Sequence, residues 1–154
     1  MAGILVIAHQ PLASALEHSA RHVFSRDPRC AGYHLRAVDV EPDADPAMLE
    51  PAVRALLPQI DDGHGVLVLT DCLGATPGNV AARLAEAGKV EVIAGVNLPM
   101  LLRALCYCES TLEALAEKAL VGGARGIAPI GPTPPSDRPQ DCKDDDLARL
   151  QDQQ

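Results

Sequence analysis

Two side chains stand where apolar strands run out and loops begin. His9 ends the run Gly3-Ile-Leu-Val-Ile-Ala-His9, and Asp71 follows Val66-Leu-Val-Leu-Thr70. A carboxylate beside a histidine takes the proton on one ring nitrogen. That fixes the tautomer and leaves the other nitrogen as a lone-pair nucleophile. After Asp71 the chain reads Cys72-Leu73-Gly74-Ala75-Thr76-Pro77. Leu73, Gly74, Ala75 and Thr76 supply consecutive backbone N–H groups, and Gly74 lets the main chain approach a ligand without a Cβ in the way. Thr76 is expected to N-cap a helix that starts at Pro77. A helix start with free amides and a positive dipole end holds anions, phosphate above all. Together the parts describe a histidine, His9, that carries a phosphoryl group, with Asp71 orienting it and residues 73–76 holding the phosphate oxygens. Singly, each has a plainer reading: a packed histidine, a turn-forming aspartate, a helix cap.

Other constellations are poorer. His18 and His22 lie four residues apart and could face one metal ion, but the Glu of a zinc-protease motif and a third ligand are both missing. Cys106-Tyr-Cys108 lacks zinc-type spacing and a second pair, so buried or half-buried thiols are expected there. No metal and no cofactor are expected. Dinucleotide, phosphate-loop and G-x-S-x-G motifs are absent.

The elements that must position His9 and Asp71 follow from periodicity. Ile4–Ala8 is a continuous apolar run, suited to a strand covered on both faces. Leu12, Leu16, Ala20, Val23 and Phe24 recur at helical spacing, and Asp27-Pro28-Arg29 is expected to stop that helix. A second strand spans residues 34–40. Asp45-Pro46 opens a helix with one apolar face through Ile60, in which Pro58 is an end or a kink. A third strand covers residues 65–70, a helix residues 77–87 closed by Gly88, a fourth strand residues 90–95, and a further helix residues 98–105. Ser110-Thr-Leu-Glu113 has capping-box spacing for a last helix through Leu120. Gly122-Gly123 is expected to end it, with Arg125–Ile130 as a short final strand.

Strands alternating with helices specify an α/β fold: a doubly wound, mostly parallel sheet of four to five strands with helices on both faces. Ligands bind such sheets at the carboxyl ends of the strands, near the switch point. If the first and third strands are neighbours, His9 and Asp71 share that edge.

At 154 residues the chain is one domain's length. Residues 1–132 form the expected domain. Residues 133–154, Pro-rich and then acidic, read as a flexible tail. Aromatics are 2%, so aliphatic side chains build the core and base-stacking platforms are lacking. The formal net charge is −8 without a basic stripe, which argues against a nucleic-acid partner. Five cysteines without regular spacing, no signal peptide before the first strand, and no run near the roughly 20 apolar residues of a membrane helix point to the cytoplasm.

The segments "ILVIAHQPLASAL", "GVLVLTDCLGATPGNVA" and "VEVIAGVNLPMLLRAL", in that order and spacing, resemble the enzyme IIA component of the mannose family of the bacterial phosphoenolpyruvate-dependent sugar phosphotransferase system. The resemblance runs over roughly residues 3–130. It implies that His9 is phosphorylated, that Asp71 pairs with it, and that Thr76 stands where the family has Ser or Thr near the phosphate. It also implies a donor, the histidine-containing phosphocarrier protein, and an acceptor, a separate IIB protein. A homodimer is implied too, with contact to the membrane only indirectly through the permease. The family often reads Gly-Gly-Ser-Pro where this chain has Gly74-Ala75-Thr76-Pro77, and Gly where Gln10 follows the histidine. Asn97–Leu101 resembles a segment beside the family's active site, where subunit or partner contacts are expected. The plainer reading there is a helix start with a buried face. A IIB domain follows in some relatives; the residues after 132 are too few for one.

Three functional classes stay open at this point. One is a phosphotransferase in a sugar-uptake relay. Another is a regulatory phosphoprotein whose His9 state is read by a target protein without sugar transport. The third is a small-ligand-binding domain that uses the helix-start anion site without covalent chemistry.

Overall fold

The structure, a computed structural model, describes residues 1–26 and 34–131. Four strands are joined by helices: β1 (Gly3–His9), α1 (Leu12–Val23), β2 (Leu35–Val40), α2 (Pro46–Arg54), α3 (Leu57–Ile60), β3 (Val66–Thr70), α4 (Thr76–Leu84), β4 (Val90–Ala94), α5 (Leu98–Cys106) and α6 (Leu112–Arg125). The sheet is parallel throughout, in the order β2-β1-β3-β4. The chain leaves β1 toward β2, then returns to place β3 on the other side of β1. The carboxyl ends of β1 and β3 therefore flank the switch point. The expected α/β class and layering are what the structure has.

Helices cover both faces, and the side-chain alternation along the strands divides the core accordingly. Ile4, Val6, Leu67 and Leu69 pack with Leu16 of α1, Leu101 of α5 and Leu115 of α6. Leu5, Ile7, Val66 and Val68 pack on the other side with Val53, Ile60, Val80 and Leu84. Burial on both faces explains why β1 and β3 read as unbroken apolar runs.

Local sequence sets most element ends. Asp45 caps α2 by accepting from the Ala47 N–H at 2.9 Å, with Pro46 as the first helical residue. Pro58 breaks the expected long helix: its ring would meet the carbonyl of Arg54, and α2 ends at Arg54. At α6 the cap is Thr111, whose Oγ1 accepts from the Ala114 N–H at 3.4 Å, so the capping box expected from Ser110 is displaced by one residue. α4 ends at Leu84 rather than Ala87, and residues 85–89 form a tight turn in which Gly88 has φ +74°. The residues expected to stop α1 at 27–29 and the tail 133–154 lie outside the described residues.

The largest departure is at the C-terminal end. Gly122-Gly123 does not stop α6, which runs to Arg125, and residues 127–131 form no strand. The glycines serve packing instead. A Cβ on Gly122 would stand 2.6 Å from Arg103 Cβ and 2.7 Å from its Cγ, and one on Gly123 would stand 2.6 Å from Met100 Cε. Glycine lets α6 lie directly on α5, a tertiary gain that overrides weak helix propensity. Gly122→Ala therefore lowers stability by about 1–3 kcal/mol through overpacking, although alanine is the better helix former. Val121→Ala, at the partly exposed neighbouring position, stays within about 0.5 kcal/mol of wild type. Thermal melts compare the two; equal melting for Gly122→Ala would refute the packing role.

Candidate active site at the carboxyl edge

Register brings the two strand-end residues together. Ile7 pairs with Thr70 and His9 with Val40, so the residue after Thr70 lies beside the end of β1. Asp71 turns its carboxylate back onto His9. Its Oδ2 lies 2.7 Å from His9 Nδ1 and accepts from the His9 backbone N–H at 2.9 Å, while its Oδ1 accepts from the Cys72 N–H at 2.7 Å. The Asp71 side chain is 8% exposed and that of His9 50%. Burial works against ionisation of Asp71. The His9 N–H, the His9 ring and the Cys72 N–H together outweigh it and hold the carboxyl below the usual carboxylate range. An ionised carboxylate only accepts, so Nδ1 carries the ring proton. Nε2 keeps its lone pair, on a ring open to solvent.

A second set of bonds fixes the loops. The Gly95 N–H donates to the Asp71 carbonyl and the Val96 N–H to the Thr70 carbonyl, both at 2.9 Å. Gly95 has φ +87° at this turn, a conformation that favours glycine. The loop after β4 is thereby laced to the loop that carries Asp71.

Residues 73–76 sit at the start of α4 with one correction. Thr76 is not the cap; Ala75 is, with no side-chain bond to the helix amides, and Thr76 and Pro77 are the first two helical residues. The chain turns one residue earlier than expected because Gly74, at φ +84°, reverses the backbone and Ala75 is already extended. Leu73 is 92% exposed at the loop tip. The uncapped start sets α4 apart from the other helices longer than one turn. Asp45, Asn97 and Thr111 accept from first-turn amides of α2, α5 and α6, and Asp39 reaches from β2 to accept from the Ser14 N–H of α1 at 3.1 Å. Among the described helices longer than one turn, α4 alone keeps its first-turn amides without a side-chain acceptor, the condition for receiving an anion.

Two residues of this segment escaped the sequence reading. Gly78 has no room for a side chain, since a Cβ would stand 2.4 Å from the Cys72 carbonyl oxygen. Asn79 donates from Nδ2 to the Gly74 carbonyl at 3.1 Å and ties the loop to the helix. A glycine just after Thr-Pro was the available signal for close approach. Asn97 caps α5 and donates to the Gly123 carbonyl at 3.1 Å, and Met100 and Leu101 are buried. The helix-start reading accounts for that stretch.

The remaining histidines lie elsewhere. His18 and His22 are exposed within α1, His34 precedes β2 with Nδ1 3.1 Å from the Ile60 carbonyl, and His64 precedes β3 beside the N-terminus. Among the described residues, no cluster of three His, Cys, Asp or Glu side chains could hold a metal ion, and no helix is long and apolar enough to cross a membrane. Cys72 is exposed, Cys106 half-buried and Cys108 buried.

Known proteins are similar to this chain in sequence and in fold. The family model EIIA-man, described as PTS system fructose IIA component, matches residues 3–120. The fructose-specific EIIA component of Bacillus subtilis is 31% identical over 129 residues, 83% of this chain and 82% of that protein. The mannose-specific EIIAB component of Escherichia coli K12 is 32% identical over 100 residues, 63% of this chain but only 31% of the longer relative. The crystal structure of the phosphotransferase system component EIIA from Streptococcus agalactiae superposes with a TM-score of 0.71 at 23% identity, covering 84% of this chain and 97% of that one, which shows the shared fold. The chain thus belongs to the mannose-family IIA components of the sugar phosphotransferase system, phosphotransferases that carry their phosphoryl group on a histidine.

Proposed function

We propose that His9 is the phosphoryl carrier. It accepts from the histidine-containing phosphocarrier protein in the cytoplasm and passes the group to a IIB protein for sugar uptake, meeting the membrane only through the permease. The observation that carries this reading is the 2.7 Å contact between His9 Nδ1 and Asp71 at the switch point. The lone pair on Nε2 attacks phosphorus, an N–P bond forms, and the N–P bond to the donor's histidine breaks with its electron pair returning to that ring. The proton stays on Nδ1. The phosphorylated ring becomes cationic, and the Asp71 charge stabilises it. Amides at the start of α4, with Leu73, Gly74, Ala75 and Thr76 forming the approach, face the phosphoryl oxygens. The reverse sequence delivers the group to the acceptor. Fixed placement of the ring removes an orientational cost from each transfer.

A homodimer fits the same reading. The outer edge of β4 has no strand partner among the described residues, and Ile127 and Ile130 stand exposed beyond α6. Sedimentation at twice the chain mass is the expected result, and a monomer at assay concentrations would refute it.

Labelling from phosphoenolpyruvate through enzyme I and the phosphocarrier should place an acid-labile phosphate on His9. Full transfer to His9→Ala, with the other four histidines intact, would overturn the assignment.

Asp71→Asn should fold but transfer about 10²–10⁴-fold more slowly, the range of an orienting or acid–base group. It should also alter the acid response. The carboxyl of Asp71 is lowered in the folded state, so its stabilisation is present above the unfolded value of about 3.9 and fades as pH falls through the lower folded value. The melting advantage of wild type over Asp71→Asn therefore closes below about pH 4. A gap independent of pH, or an unchanged transfer rate, would remove Asp71 from the mechanism.

Because Thr76 caps nothing, Thr76→Ala should melt within about 0.5 kcal/mol of wild type. Its effect belongs to the phosphorylated state, as a shorter phosphohistidine lifetime. A large loss of stability with an unchanged lifetime would make Thr76 a structural residue only.

A further inference from the structure

β3 is apolar from Val66 to Leu69 and ends in a buried threonine. Thr70 is 1% exposed, and its Oγ1 has no hydrogen-bond partner. A hydroxyl enclosed in this way is a net cost to folding, and valine would fill the same volume without it.

Its position in the sheet is specific. Thr70 pairs with Ile7, so it shares the face of Ile7, Val68 and Val66. That face is covered by Val80, Ala81 and Leu84 of α4. α4 runs back along β3, and Gly78 of its first turn lies against the Cys72 carbonyl. Thr70, two residues beyond Val68 toward the carboxyl edge, thus lies on the face that α4 covers, at the edge of the sheet where that helix starts. His9, two residues after Ile7 on the neighbouring strand, belongs to the same face. Two independent features meet here: helix amides without an acceptor, and a buried hydroxyl without a partner.

We propose that Thr70 is a further phosphate-contacting residue, whose hydroxyl donates to a phosphoryl oxygen once His9 is phosphorylated. This rests on the assignment of His9 as the carrier. The hydroxyl is closed to solvent in the unphosphorylated chain, so the contact forms only once the phosphoryl group is on His9. No covalent bond to Thr70 is involved; the N–P bond stays on His9. Thr70 adds a hydroxyl donor to the amide donors at the start of α4.

The test compares Thr70→Val and Thr70→Ser in the full chain, first for melting and then for the lifetime of phosphate on His9 after enzymatic labelling. Thr70→Val should melt at or above wild type, since it removes an unpartnered hydroxyl at constant volume. It should lose phosphate roughly tenfold faster, the effect of about one hydrogen bond to a charged group. Thr70→Ser, which keeps the hydroxyl, should restore the lifetime even if loss of the methyl lowers its melting temperature. A wild-type lifetime in Thr70→Val overturns the proposal. So does a lower melting temperature for Thr70→Val, which would mean that the hydroxyl is already bonded in the resting protein. Absence of label on His9 in wild type is a different outcome: it overturns the carrier assignment, and this proposal falls with it.

Discussion

One carboxylate decides what this edge of the sheet can do. Asp71 is almost closed to water, and a lone charge there would cost several kcal/mol. Three N–H groups converge on it, two from His9 and one from Cys72. Bonds to a charged acceptor contribute about 1.5–3 kcal/mol each, enough together to keep the carboxylate ionised. The same bonds lock the His9 ring by its Nδ1–H and by its own backbone. Charge, tautomer and ring orientation are therefore one arrangement, and the unprotonated Nε2 is its consequence.

That arrangement depends on topology more than on neighbouring sequence. His9 and Asp71 are 62 residues apart, and they meet because β3 lies beside β1 with Ile7 opposite Thr70. A shift of one residue would point alternate side chains to the other face and break both contacts. The register is held by aliphatic packing on both faces and by the bonds from Gly95 and Val96 to the carbonyls of Asp71 and Thr70. The loops at the edge are thus tied to one another as well as to their strands.

The sequence made much of this legible. The buried parallel strands, the Asp45-Pro46 helix start and the break at Pro58 follow from local rules, and so does the placing of His9 and Asp71 at strand ends. What it concealed was tertiary. Gly122 and Gly123 look like a helix stop until Arg103 and Met100 are known to fill the space above them. Thr76 resembles a cap because Thr-Pro is a sound helix start, yet the backbone turns at Gly74 and leaves Ala75 in that place. Gly78 needs the Cys72 carbonyl to explain it, and no local pattern carries that contact. The shared face of Thr70 and His9 likewise appears only with the register.

The departures from local rules are not scattered. At the amino edge of the sheet, Asp61 Oδ1 accepts from the N–H groups of both Gly63 and Gly65, at 2.8 and 2.9 Å, and the turn is satisfied within itself. At the carboxyl edge, α4 begins without a side-chain cap, Thr70 holds an unpartnered hydroxyl, and Leu73 stands in water. Local consistency is the normal condition of a folded chain, and exceptions gather where a structure serves something other than its own stability. The exceptions here are of matching kind. Idle N–H and O–H donors call for an acceptor, and an exposed apolar side chain beside them calls for a surface. A phosphoryl group delivered by another protein supplies both at once, whereas a small free anion would supply only the first.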